Sequence, residues 1–256
     1  MTRREFFRTT SVLPLIGGAS LWADTKGVLP RSVNALLDCT ISFKPYLSGA
    51  FSGIDRVLDA LGPGDSCVLQ RIAGGFDAAR QVSECVLPLV DPELLAPSSN
   101  YPEYLRKKAE LKRVWEDADR RKAAFREALR RPVALDTANT DVFGALEYAS
   151  HRIQPFRGQT HLLLFSDLVH DFHGVKTELP PRQNHPFPGT NVTALFVPWQ
   201  GSLASRQKTQ AWDRYFMGSG AKAFSLFDEA QSLSITPISA SAVLRVPENP
   251  FHKKRG

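Results

Sequence analysis

The chain has 256 residues, of which 43% are hydrophobic, and its glycine (17) and proline (18) content is near average. This excludes disordered, collagen-like and low-complexity classes and leaves room for one large domain or two small ones. Lys and Arg (32) exceed Asp and Glu (26) by six, an excess that points to an acidic partner or anionic surface only where it is concentrated. The three cysteines, Cys39, Cys67 and Cys85, are too few and too scattered for a disulfide scaffold or zinc ribbon, and allow one disulfide at most.

Positive charge gathers at the N-terminus in Arg3, Arg4 and Arg8, and a short apolar run follows from Val12 to Trp22. That run falls well short of the roughly 20 apolar residues that cross a bilayer. Basic start, short apolar core and small-residue exit are the parts of an export signal, here residues 1–23, with cleavage after Ala19 or Ala23. The order Thr2-Arg3-Arg4-Glu5-Phe6-Phe7 resembles the twin-arginine export consensus. The resemblance implies a passenger that folds before export and works outside the cytoplasm, in the periplasm.

From Ser32 onward, short apolar runs alternate with amphipathic segments. Val33–Leu37 reads as a buried parallel strand. Leu47–Leu61 carries apolar residues at helical spacing and stops at Gly62-Pro63-Gly64. Cys67–Ile72 and Ser83–Leu89 read as strands, the second as an antiparallel edge, and Asp91–Asn100 as a linker. Tyr101–Arg131 is one long charged helix with a stripe at Tyr104, Leu111, Trp115, Ala118, Phe125 and Leu129. A helix at Asp141–Arg152, a strand at His161–Phe165 and a long polar loop at Leu168–Thr190 come next. A strand at Val192–Val197, a helix at Ser205–Met217 and a last strand at Ala221–Phe227 complete the pattern. Strands alternating with helices predict an α/β fold, doubly wound, with a mainly parallel sheet covered on both faces and a long inserted charged helix. Residues 32–230 form this domain, and 231–256 a C-terminal extension.

The long helix holds eleven Lys and Arg against six Asp and Glu, most of the chain's net charge. A solvated face laced with i,i+4 pairs explains this. A docking face for an acidic partner, or a weak anionic surface contact, would use Arg113, Arg120, Arg121 and Lys122. No module that reads nucleic acid is visible.

In sheets of this kind ligands collect where strands end, and three such places carry oxygen ligands. Asp38-Cys39-Thr40-Ile41-Ser42 follows the first strand, Thr140 precedes a helix, and Ser166-Asp167 follows Leu162–Phe165. In order and context these resemble the metal-ion-dependent adhesion site of the von Willebrand factor A family, D-x-S-x-S, then Thr, then Asp. Thr40 stands where Ser is commoner and keeps the hydroxyl. Leu168 stands where Gly usually follows the Ser-Asp pair. The resemblance spans roughly Val33–Phe227, and Trp212 matches the family's late tryptophan-bearing helix. It implies that Asp38, Thr40, Ser42, Thr140 and Asp167 bind Mg²⁺, with Mn²⁺ or Ca²⁺ as substitutes, and that a protein partner offers the metal an acidic residue.

The chemistry suits that assignment. Mg²⁺ takes six oxygens at about 2.0–2.1 Å and keeps several waters, so one or two carboxylates with hydroxyls match it. Such a site is a binding device with no evident catalytic base, so the expectation is a protein–protein interaction module and not an enzyme. Two other readings use different residues. His170, Asp171 and His173 lie close together in the third loop and would serve a metal-dependent hydrolase. A metal-free structural scaffold would dock through the basic helix alone. No G-x-S-x-G elbow and no phosphate-binding glycine loop is present.

Overall fold

β1 (Arg31–Asp38) is buried at every position, as expected of a central strand covered on both faces. The computed structural model describes residues 30–72, 74, 82–130, 139–153, 158–197 and 203–228. The export stretch with Arg3 and Arg4, and the C-terminal extension, lie outside the described residues. After β1 come a single 3-10 turn (Lys44–Tyr46), α1 (Leu47–Ala60), β2 (Ser66–Ile72) and β3 (Val82–Val86). Next are the one-turn α2 (Pro92–Leu95), the long α3 (Tyr101–Arg130) and α4 (Val142–Ile153). β4 (Gln159–Phe165), β5 (His170–Phe172), β6 (Val175–Thr177), β7 (Asn191–Leu195), α5 (Leu203–Gly218) and β8 (Ala223–Phe227) follow.

Six strands form one sheet in the order β3-β2-β1-β4-β7-β8, parallel throughout except for the antiparallel edge β3. Side chains alternate along β1. Val33, Ala35 and Leu37 enter a core shared with α1 and α3, whereas Leu36 enters a second core shared with α4 and α5. The fold is therefore α/β and doubly wound. Among the described residues, no helix is long and apolar enough to cross a membrane.

Two stretches differ from the sequence reading. The segment read as a polar loop holds the β5–β6 hairpin, too short for periodicity to reveal. The segment read as a linker holds α2, started by Asp91, whose carboxylate accepts from the Glu93 N–H, and by Pro92 behind it.

α3 starts in a box of side-chain bonds. Asn100 Oδ1 accepts from the Glu103 N–H, and Glu103 reaches back to the Ser99 N–H and hydroxyl. Its buried stripe is Tyr104, Leu111, Ala118, Phe125 and Leu129, flanked by two buried lysines. Lys107 Nζ donates to the Ala96 carbonyl at 3.2 Å and Lys122 Nζ to the Leu61 carbonyl at 2.6 Å. Their stems pack with the stripe while the ammonium groups satisfy chain ends that no ladder reaches. Arg126 then bonds Asp55 and Asp59 on α1. Successive contacts from Lys122 to Arg126 step back from the end of α1 towards its start, so the two helices run antiparallel.

Candidate metal centre at the strand switch point

The chain leaves β1 towards β2 on one side and returns to β4 on the other. The gap between β1 and β4 is thus the switch point of the sheet, where the C-terminal strand ends form a crevice. Leu37 pairs with Phe165 in register, so the next residues, Asp38 and Ser166, meet side by side.

Asp38 is buried at this point, and both of its oxygens are held. Oδ1 accepts from the Thr40 N–H at 3.0 Å and the Thr40 hydroxyl at 2.6 Å, and Oδ2 accepts from the Ser166 hydroxyl at 3.0 Å. Thr40 Oγ1 lies 3.0 Å from Ser42 Oγ. Burial pushes the Asp38 carboxyl from 3.8 up to about 6. The bonds from Thr40 and Ser166 hold the rise back, and the charge of Asp167 adds to it. Asp167 is also raised, mainly by burial, against the Val169 N–H and Lys208.

The third loop reaches this arrangement by a strained turn. Leu168 has φ 61°, in the left-handed region that glycine enters freely and leucine does not. The strain is held in place from both sides. The Leu168 N–H donates to Ser166 Oγ at 3.1 Å, and the Leu168 side chain is fully buried in the second core. The Val169 N–H closes the turn on Asp167 Oδ1 at 3.0 Å. From α5, the buried Lys208 donates to the Asp167 carbonyl at 2.8 Å and lies 3.4 Å from Glu178. Trp212, one turn further on, donates its indole N–H to the Glu178 carbonyl at 2.9 Å.

Thr140 is placed at the same end of the sheet but joined differently. Its N–H and carbonyl pair with Asp171 of β5 at 2.7 and 3.0 Å. Asp141 starts α4 by accepting from the Gly144 N–H at 2.8 Å. Gly74, just beyond β2, presses on this loop from below, since a Cβ there would stand 2.1 Å from Asn139 Cβ and 2.8 Å from its carbonyl oxygen. Among the described residues, the Thr140 hydroxyl makes no hydrogen bond to Asp38 or Asp167. The structure thus joins Asp38, Thr40 and Ser42 directly, brings Asp167 within electrostatic reach of Asp38, and ties Thr140 through its backbone to Asp171.

Two residues take part beyond the five read as metal ligands in the sequence. Ser166 contacts Asp38 directly, and the β1–β4 register is the only thing that pairs them. Lys208 reads in the sequence as one more helix lysine.

The donor set suits a hard divalent cation. Burial favours the protonated form of both carboxylates, and the charge of Asp167 adds to the rise at Asp38. Among the described residues no Lys, Arg or His pairs with the carboxylate oxygens of either, and Lys208 bonds the Asp167 carbonyl. The neighbouring hydroxyls add oxygen without charge.

The other candidate residues are not assembled into a site. His170 is buried and stacks on Phe143 with ring centroids 3.8 Å apart, 3.8 Å from Asp141. Asp171 faces Lys176, and His173 is exposed at the hairpin turn. Among the described residues, no three His, Cys, Asp or Glu side chains converge as a metal-binding group. On α3, Arg113 is exposed, and Arg120 and Arg121 both bond Asp117. Lys122 is corrected from surface to core: it is buried against Leu61. These residues lie at the pole of the sheet opposite Asp38. Arg121 bonds the Val86 carbonyl; Val86 pairs with Ser66, and Ser66 with Ser32 at the start of β1. Asp38 ends the same strand, about 20 Å away at 3.3 Å per residue.

No protein-family model matches the chain, and no curated protein is significantly similar to it. Among solved structures, the chain is similar to the pilus adhesin SpaC of Lactobacillus rhamnosus GG, at 12% identity and a TM-score of 0.46, over 80% of this chain and 28% of that one. It is similar to the ArnB paralog VWA2 of Sulfolobus acidocaldarius at 11% identity and TM-score 0.40, over 80% and 43%. A von Willebrand factor type A structure from Catenulispora acidiphila gives 12% identity and TM-score 0.39, over 78% and 39%. The chain spans less than half the length of each.

Proposed function

We propose that this chain is an exported von Willebrand A-type domain that binds one divalent cation at Asp38, Thr40, Ser42, Thr140 and Asp167. Through that cation it holds an acidic group of a protein partner. The observation that carries this reading is the buried Asp38 at the switch point, ringed by the hydroxyls of Thr40 and Ser166 with Asp167 beside it. Mg²⁺ is the natural ion for two carboxylates plus hydroxyls, and Mn²⁺ the convenient probe. A cation there offsets the charge of both acids and retains an open position for a carboxylate. Export rests on Arg3 and Arg4 in the resemblance to the twin-arginine consensus, and with it a periplasmic location.

Calorimetric titration of the purified chain with Mn²⁺ and Mg²⁺ tests the metal. One ion per chain is expected, with loss of binding in Asp38→Ala and in Asp167→Ala. Equal affinity in wild type and Asp38→Ala would rule the site out. Export is tested separately: Arg3→Lys with Arg4→Lys should hold the precursor in the cytoplasm.

A metal-free interaction scaffold is the second reading. It is favoured by the closed network in which both Asp38 oxygens already accept hydrogen bonds. Absence of any metal binding by the wild-type chain selects it.

A further inference from the structure

Cys67 on β2 and Cys85 on β3 stand directly opposite each other in the antiparallel ladder. Both side chains are buried, both thiols are free, and both lie in the core beneath α1 and α3. Two residues along, the Leu87 N–H donates to the Asp65 carbonyl at 2.9 Å, which makes Cys67 and Cys85 a hydrogen-bonded pair of the ladder. Their Cα atoms are then about 5.5 Å apart, inside the range that disulfides span. The Cβ atoms of such a pair must close by roughly 1 Å to form the bond. β3 can supply that movement. Among the described residues it is an edge strand with one sheet neighbour, and Cys85 is its one buried side chain.

We propose that Cys67 and Cys85 are a redox-sensitive pair that closes as a cross-strand disulfide, pinning the edge strand β3 to β2. β3 carries part of the seat of α3, whose Arg121 bonds the Val86 carbonyl, so the bond also fixes the long helix to the sheet. Cys39 is the third thiol. It belongs to the β1 end and has no cysteine opposite it.

The oxidant is an external disulfide, either a small molecule or the disulfide of a thiol–disulfide oxidoreductase. When the edge strand opens and exposes it, Cys85 loses its proton and attacks one sulfur of that disulfide. This forms a mixed disulfide and expels one external thiolate. Cys67 then loses its proton and attacks Cys85 Sγ, forming the Cys67–Cys85 bond and expelling the second thiolate. Two protein thiols are oxidised and one external disulfide is reduced to two thiols, with the two protons passing to the thiolates or solvent. Cys85 is the entering thiol because Lys122, Arg121 and Arg126 work against its rise, whereas burial pushes Cys67 up to about 12 with no cation opposing it. The closing strain on a hydrogen-bonded pair makes the bond reducible, which suits a switch better than a permanent staple.

The test is incubation of the purified chain with excess oxidised glutathione, followed by thiol titration in denaturant and intact mass. The expected result is a fall from three thiols to one, loss of the mass of two hydrogens, a monomer on a non-reducing gel and a higher Tm. Tryptic mapping should join the peptide ending at Arg71 to the one carrying Cys85. Cys67→Ala should keep its two remaining thiols. Cys39→Ala, which keeps the pair, should oxidise as the wild type does and so shows that loss of one cysteine does not itself block the reaction. Retention of all three thiols, a bond to Cys39, or intermolecular dimers alone would overturn the proposal. None of these readouts involves the metal, so they stand or fall apart from the metal site.

Discussion

The Ser166 hydroxyl donates to Asp38 Oδ2 at 3.0 Å, joining strand ends 128 positions apart in the chain. The bond stabilises the charged form of Asp38, against the burial that favours its neutral form. Ser166→Ala should therefore raise the Asp38 pKa further and destabilise the chain by about 1–2 kcal/mol at neutral pH. Chemical denaturation, with the Asp38 carboxyl followed by NMR, checks both. An unchanged titration would show that the bond does not form in solution.

Asp38 also sets a pH dependence. Its folded pKa, about 6, lies above the ordinary 3.8, so the folded chain holds this proton more tightly than the unfolded chain. Its favourable contribution is full below pH about 4 and is lost as pH rises through about 6, a loss of roughly 3 kcal/mol at 1.36 kcal/mol per unit. Asp38→Asn does not titrate, so relative to wild type it should gain stability between pH 4 and pH 7.5, both approximate bounds of that window. Mg²⁺ should return the wild type's deficit at the upper end only. Urea midpoints at the two pH values decide this, and a pH-independent difference between the proteins would contradict it.

Leu168 sets two effects against each other. Leu168→Gly relieves a left-handed leucine, worth about 1–2 kcal/mol. It also empties a fully buried site, and truncations of buried leucine cost about 2–5 kcal/mol. The cavity should win, with a net loss of about 1–3 kcal/mol. A thermal melt above the wild type's would show that strain dominates.

Gly74 has no room for a methyl group, because the atoms it would meet include the Asn139 backbone. Gly74→Ala should displace the Asn139–Thr140 loop, costing about 1–3 kcal/mol of stability as overpacking does. It should weaken Mn²⁺ binding more than a substitution at the opposite pole. Equal Mn²⁺ affinity in wild type and Gly74→Ala would free Thr140 from the proposed ligand set.

The basic helix should not tune the metal site. Arg113 and Arg120 lie near the far pole, well beyond the Debye length of about 8 Å at physiological salt. Arg113→Gln with Arg120→Gln should keep wild-type Mn²⁺ affinity in calorimetry at about 0.15 M salt. A change of several-fold would mean that the helix reaches the site.

Much of this molecule is determined locally. Short apolar runs such as Val33–Leu37 and Leu162–Phe165 define strands because burial on both faces demands near-continuous apolar sequence. The stripe through Leu111, Ala118 and Phe125 defines a helix because its repeat matches the turn. Strand ends followed by Asp38 and Asp167 are visible for the same reason, since ligands collect where strands stop. What the sequence leaves open is every relationship that depends on register or on which side an element packs. Ser166 meets Asp38 only because Leu37 pairs with Phe165. Lys122 is buried only because α3 runs antiparallel to α1 and delivers it to the Leu61 carbonyl. Arg113 and Arg120 stand at the opposite pole for the same geometric reason. Leu168 takes a glycine's conformation because a buried pocket and a serine hydroxyl compensate its strain. Pairing and packing energies are summed between segments far apart in the chain, so tertiary structure alone decides these placements.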